Sequence, residues 1–121
     1  MILVEHVTKL SDKAMIGEAW FEKGDLWKDE RGVPVAWALE VMAQTCAAYI
    51  GCHFQDKGIR GGRLLKVRDM SFKVAFLPYG KKLTAHAKLD AESDLNFFVF
   101  TGSLKNEDVE LASACLSILA Q

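Results

Sequence analysis

The sequence is short of cysteine and proline and carries almost no net charge, and each shortage excludes something. Its three cysteines, Cys46, Cys52 and Cys115, form no CxxC or CxxxC pair. An odd number of thiols set in apolar runs reads as buried, reduced cysteine of a cytoplasmic protein, not as a disulfide framework or a metal centre. No metal site and no cofactor is expected. Lys and Arg number 15 against 16 Asp and Glu, a formal net charge of −1. Phosphate binding needs a strong basic excess, so a general nucleic-acid binder is excluded. No unbroken apolar run is long enough to span a membrane, because the nearest to it, from Pro34 onward, contains Glu40 and Gln44. The opening Met1-Ile2-Leu3-Val4-Glu5-His6 has no basic start and no long apolar centre, so it reads as a strand and not a signal peptide. There is no repeat, no low-complexity stretch and no linker, and 121 residues fit one domain, residues 1–121.

What is present is ordinary in amount and ordered in pattern. Half of the residues are hydrophobic. Residues 2–9 and 14–21 read as strands joined at Leu10-Ser11-Asp12-Lys13. Residues 24–32 are polar and irregular. Pro34 sits where a first-turn proline is tolerated, and a helix is expected from there to about Phe54. Four further strands are expected over residues 63–76, 83–91, 95–105 and 111–120. Alternation is clearest in Leu83, Ala85, Ala87, Leu89 and in Ala112, Ala114, Leu116, Ile118. Pro78-Tyr79-Gly80 and Asn106-Glu107-Asp108 are turn chemistry.

The helix is apolar on nearly every side, through Val35, Ala36, Trp37, Ala38, Leu39, Val41, Met42, Ala43, Cys46, Ala47, Ala48, Tyr49 and Ile50. It should therefore be buried on nearly every side. One sheet achieves that only by curling around it. One central helix with several long antiparallel strands points to an α+β hotdog fold.

Glu40 and Gln44 stand four apart in this helix and share a face with Ala36, Ala43, Ala47 and Gly51. A carboxylate in apolar surroundings has its charged form disfavoured and can work as a general acid. The same residue type also serves structure, by reaching the surface or pairing with a buried Arg or Lys.

Gly32-Val33-Pro34-Val35-Ala36-Trp37-Ala38-Leu39-Glu40-Val41-Met42-Ala43-Gln44-Thr45 resembles the helix of the 3-hydroxyacyl-[acyl-carrier-protein] dehydratases, the Glu-x-Met-Ala-Gln stretch being the specific part. The aryl-polyene-type, ApeP-like branch is the nearest in kind. Ile2-Leu3-Val4-Glu5-His6-Val7 is similar to that family's first strand, and Gly61-Gly62-Arg63-Leu64-Leu65 to its entry into the strand after the helix. The resemblance implies a hotdog fold, a homodimer or a heterodimer with another hotdog protein, and chemistry on thioesters of acyl carrier protein or coenzyme A. It implies Glu40 as catalytic acid, with Gln44 in support. The backbone N–H groups near Val33, Val35 and Ala36 are candidate donors to the thioester oxygen, since orphan amides and the helix dipole meet at a helix start.

The departures from that family are equally informative. The FabZ-type enzymes carry His-Phe-Pro-Gly before the helix, with the His as base, whereas this chain has Lys28-Asp29-Glu30-Arg31-Gly32. His6 aligns with no family histidine. His53 lies 13 positions beyond Glu40, roughly 20 Å along a helix. His86 falls on the Thr84, Lys88 face of its strand. In hotdog dehydratases the site lies between subunits, which give the His and the carboxylate separately, so this chain reads as half of a composite site.

Two further groups carry weaker signals. Trp20, Trp27, Trp37, Phe97, Phe98 and Phe100 suit an acyl tunnel or a plain core. Residues 57–73 hold Lys57, Arg60, Arg63, Lys66, Arg68 and Lys73 against Asp56 and Asp69. Arg60, Arg63, Lys66 and Arg68 suit docking of an acidic carrier, or merely a charged strand edge. A hotdog thioesterase and a non-catalytic hotdog partner stand as the alternatives to a dehydratase.

Overall fold

The structure, a computed structural model, describes residues 2–54, 58–59 and 61–121. In chain order its elements are β1 (Val4–Ser11), β2 (Ala14–Trp20), β3 (Val33–Pro34), α1 (Trp37–His53), β4 (Gly62–Phe72), β5 (Phe76–Leu77), β6 (Lys82–Ser93), β7 (Phe97–Asn106) and β8 (Val109–Ala120). Six strands form one antiparallel sheet in the order β1-β2-β6-β7-β8-β4, and β3 pairs with β5 apart from it. This is the expected α+β hotdog arrangement, one helix laid on a large antiparallel sheet.

The sheet is built to receive the helix closely. Alternation turns Leu83, Ala85, Ala87 and Leu89 of β6 and Ala112, Ala114, Leu116 and Ile118 of β8 into the core. Across the middle strands, Ala87, Gly102 and Ala114 stand in register, so the sheet is thin where α1 crosses it. A Cβ on Gly102 would come within 2.7 Å of Leu116 Cδ1 and 3.1 Å of Met42 Sδ. One on Gly17 would lie 2.4 Å from Thr45 Oγ1, which donates to the Val41 carbonyl. The helix buries Ala38, Val41, Met42, Thr45, Cys46, Tyr49 and Ile50 against this seat. Each fully buried aliphatic chain contributes about 1.5–3 kcal/mol, so packing holds α1 in place more than helix propensity does.

Several expectations need correcting. The helix starts at Trp37, not Pro34, because Val33 and Pro34 pair with Leu77 and Phe76 as β3 and β5. The strand expected over residues 63–76 stops at Phe72, after a register shift between Arg68 and Ser71 in which Asp69 takes φ 52°. The chain then leaves the sheet to reach β3. The helix is not buried all round. Ala36, Glu40 and Cys52 are exposed and Ala43, Gln44, Ala47 and Gly51 half-buried, since the sheet covers only the opposite side. Of the three free thiols only Cys46 is buried, Cys115 being half-buried and Cys52 exposed. Burial pushes the Cys46 thiol up, so it stays protonated and inert.

Candidate active site

The segment that enters α1 is tied down by its own polar groups. Arg31 donates through Nε to Asp29 Oδ1 (3.0 Å) and through Nη2 to Oδ2 (2.8 Å), and its backbone N–H also reaches Oδ1 (2.9 Å). The side-chain bond from Arg31, then the backbone one, hold the Asp29 carboxyl down at about 2. The Arg31 guanidinium lies over the Phe76 ring at 4.4 Å. Tyr79 donates to the carbonyls of Asp29 (2.8 Å) and Gly32 (3.2 Å). Gly32 has φ 127°, and a Cβ there would sit 2.2 Å from the Leu77 carbonyl oxygen, so no other residue fits. The stretch expected to hold a base in the FabZ type is therefore a structural clasp here. Phe21, Trp27 and Trp37 stack edge to face beside it.

Glu40 follows on the uncovered face of α1. Gln44 Nε2 donates to Glu40 Oε1 at 3.1 Å, which is the pairing their spacing led us to expect. Two recesses, each of about 260 Å³, meet at Glu40. The first is lined by Ala36, Trp37, Leu39, Glu40 and Leu64, and the second by Glu40, Ala43, Gln44, Ala47, Gly62, Arg63 and Leu64. Both lie between α1 and the edge strand β4. Glu40 is exposed within this one chain, so the expected partial desolvation is not provided by the chain itself.

The other candidate residues scatter. Val35 cannot serve as an oxyanion donor, because its N–H already binds the Ala75 carbonyl at 3.1 Å. Val33 is fully buried in β3. Ala36 is exposed at the lip of the first recess. Arg63, Lys66 and Arg68 are exposed and stand opposite Leu119, Ser117 and Cys115 of β8. Those β8 residues alternate with the core row, so the three cations register on the sheet face away from the helix, with Arg63 also at the lip of the second recess. Arg60, the fourth, lies outside the described residues. Phe98 and Phe100 belong to the core, Phe97 is half-buried and Trp20 exposed, while Trp37 lines the first recess.

Among the described residues no hydrogen bond or ion pair joins a histidine to this carboxylate. His53 ends α1, stacked on Tyr49 with Nδ1 2.9 Å from the Tyr49 carbonyl oxygen. His86 pairs in register with Ile16 and Ser103, and His6 with Glu18. What sequence reasoning missed is the backbone around Gln44, whose Oε1 accepts the N–H groups of Leu3 (2.8 Å) and Val4 (3.0 Å). No side-chain pattern signals such a contact.

A family model described as ApeP dehydratase, ApeP-like, matches residues 1–121. The chain belongs to the ApeP-like dehydratase family. Among solved structures, the dehydratase heterocomplex ApeI:P from Xenorhabdus doucetiae is similar, with a TM-score of 0.86 at 20% identity over 99% of this chain and 83% of that one. A hypothetical thioesterase with coenzyme A from Streptococcus pneumoniae is similar with a TM-score of 0.69 at 13% identity, covering 96% of this chain and 84% of that one. The SAV0944 protein of Staphylococcus aureus, as a Glu47Ala mutant, is similar with a TM-score of 0.73 at 11% identity, covering 96% and 92%. At these identities the likeness concerns the fold. Comparison with curated proteins gave no match. In this member of the ApeP-like family, Glu40, Ala43 and Gln44 of the Glu-x-Met-Ala-Gln stretch line the recesses, while Met42 points into the core. Among the described residues no helix is long and apolar enough to cross a membrane.

Proposed function

We propose that this chain supplies the carboxylate half of a composite 3-hydroxyacyl-[acyl-carrier-protein] dehydratase, completed by a second hotdog protein that supplies the histidine. The observation that carries the reading is the Glu40–Gln44 pair at the junction of two recesses, in a member of a dehydratase family. The partner's histidine takes the C2 proton of the thioester. Glu40, in its acid form, gives its proton to the C3 hydroxyl, which leaves as water while the C2–C3 double bond forms. Charge developing on the thioester oxygen faces the start of α1, where Ala36 is the amide best placed of the three considered. The cations of β4 dock an acidic carrier or the phosphates of coenzyme A.

Two features support a partner. The clasp of Asp29 and Arg31 replaces the expected base, and the Glu40 face of an otherwise apolar helix is open beside an edge strand. A second protomer laid there would remove water from around the carboxylate and favour its proton-donating form.

The test is enoyl-thioester formation from a 3-hydroxyacyl thioester by the chain alone, by a complex with a His-bearing hotdog partner, and by a Glu40→Gln complex. The chain alone should be nearly inactive and the complex active. Glu40→Gln should lower the rate roughly 10²–10⁴-fold, as loss of a general acid does, with assembly intact. Full activity of the Glu40→Gln complex would make this chain a non-catalytic partner. Release of free thiol in place of enoyl product would make it a thioesterase, the activity named for some of its structural neighbours.

A further inference from the structure

We propose that the entry to β1 is a positioning element for Glu40, acting through Gln44. The inference rests on the reading of Glu40 as the catalytic acid and adds to it the means by which that acid is aimed.

The argument starts from the amide of Gln44. Its two ends are nearly the same size but opposite in chemistry, since the oxygen only accepts and the nitrogen only donates. Two backbone N–H groups, of Leu3 and Val4, converge on one end at 2.8 and 3.0 Å. Only the oxygen can receive two donors. The NH₂ end is thereby turned toward Glu40, where Nε2 donates to Oε1 at 3.1 Å. Leu3 is buried, and Val4 is held in β1 opposite Ala19 of β2, so one donor is fixed by packing and the other by the sheet. A segment some 40 residues away in sequence thus dictates which end of the Gln44 amide meets the carboxyl group.

The orientation has a chemical sign. A donor aimed at the carboxyl oxygen meets the negative charge that develops there as Glu40 gives its proton away. The reversed amide would present its carbonyl oxygen to that charge instead. An exposed glutamate also samples several rotamers, and a bond from a pinned amide narrows them toward the recesses. β1 is the outermost strand at the end of the sheet opposite β4. Gln44, which lines the second recess, thus ties the carboxyl group beside β4 to the strand at the other end of the sheet.

Val4 is the first residue of β1 and its N–H is spent on Gln44. Proline is tolerated at a strand's first residue, so Val4→Pro removes the donor while sparing the ladder. Kinetics on the complex with the His-bearing partner should show Val4→Pro and Gln44→Met each lowering kcat about tenfold, as befits one lost hydrogen bond, with KM unchanged. Val4→Ala, which keeps the N–H, should be faster than Val4→Pro. The double variant should be no slower than Gln44→Met alone, because both changes break one relay. Multiplying effects in the double variant would overturn the relay.

An arm independent of catalysis uses the ¹⁵N-labelled chain. The Gln44 side-chain amide resonances should move as Glu40 titrates, and Val4→Pro should diminish that response. An undiminished response would also overturn the relay. A fully active Glu40→Gln complex would instead overturn the acid assignment, leaving this arm to decide the geometry. Should Val4→Pro fail to fold, Gln44→Glu keeps the acceptor for Leu3 and Val4 and sets a second carboxylate against Glu40. It should move the pH–rate profile to higher pH, and an unmoved profile would count against the relay.

Discussion

Glu40 and Gln44 were legible at the residue scale because helical spacing alone brings positions four apart onto one face. Leu3 and Val4 were not, because they act through backbone N–H groups that carry no side-chain signature. His86 shows a third case. Alternation put it on the outward face of β6, and there Ile16 and Ser103 flank it in register. Burial, and then the charge of Lys105, lower its proton affinity from the ordinary 6.5. The folded chain therefore resists a proton that the unfolded chain accepts. Stability rises with pH wherever the unfolded state holds more protons. His86 accordingly weakens the fold as pH falls through about 6.5 toward its depressed folded value, and adds nothing further below both. Asp29 has the opposite bias, but its contribution is present above the ordinary 3.8 and is lost only as pH falls toward about 2, outside this window. His86→Gln should thus show a smaller loss of Tm than the wild type between pH 8 and pH 5. Parallel Tm curves for the two proteins would dismiss the effect.

At the scale of elements, α1 was legible as an apolar run, and its end at His53 agrees with the expected stop near Phe54. Its start was displaced because Pro34 suits two roles, first helical turn and short edge strand. The choice was made by Phe76 and Leu77, some 40 residues on, which pair with it. Such a long-range pairing leaves no local trace. Nor did the sequence show that the sheet would leave one face of α1 open, since apolar composition does not say which neighbour covers it. β4 was expected as a charged strand, and its register adds that Arg63, Lys66 and Arg68 share one side. If that side docks an acidic carrier, Arg63→Glu with Lys66→Glu should weaken carrier binding several-fold and flatten its salt dependence, since exposed charges are screened within about 10 Å at 0.1 M. The far-ultraviolet circular dichroism should not change. Carrier affinity indifferent to both the reversals and the salt would remove this role.

At the scale of the whole molecule, the six-stranded sheet has two edges, β1 and β4, and they differ. β1 is broken by register shifts at Val4/His6 and Lys9/Ser11, the kind of irregularity that blunts an edge. β4 also carries shifts, and each edge exposes two large apolar side chains, Val7 and Leu10 on β1 and Leu65 and Met70 on β4, but only β4 runs for 11 residues beside the open face of α1. A protomer laid along β4 would cover the strand edge, Leu65, Met70 and the Glu40 recesses together. Covering β1 would leave the recesses open. The composite-site proposal therefore predicts assembly along β4, with a like chain or with the His-bearing partner. Sedimentation velocity at micromolar concentration should find the chain paired, most firmly with that partner. Leu65→Lys with Met70→Lys puts charge into the buried seam while leaving the core untouched. It should release folded monomers and abolish enoyl formation together, since a half site separated from its histidine has no base. A variant that stays paired and active would move the interface away from β4. A wild-type chain that remains monomeric with every hotdog partner offered would leave Glu40 without a base, and the composite site would fall with it.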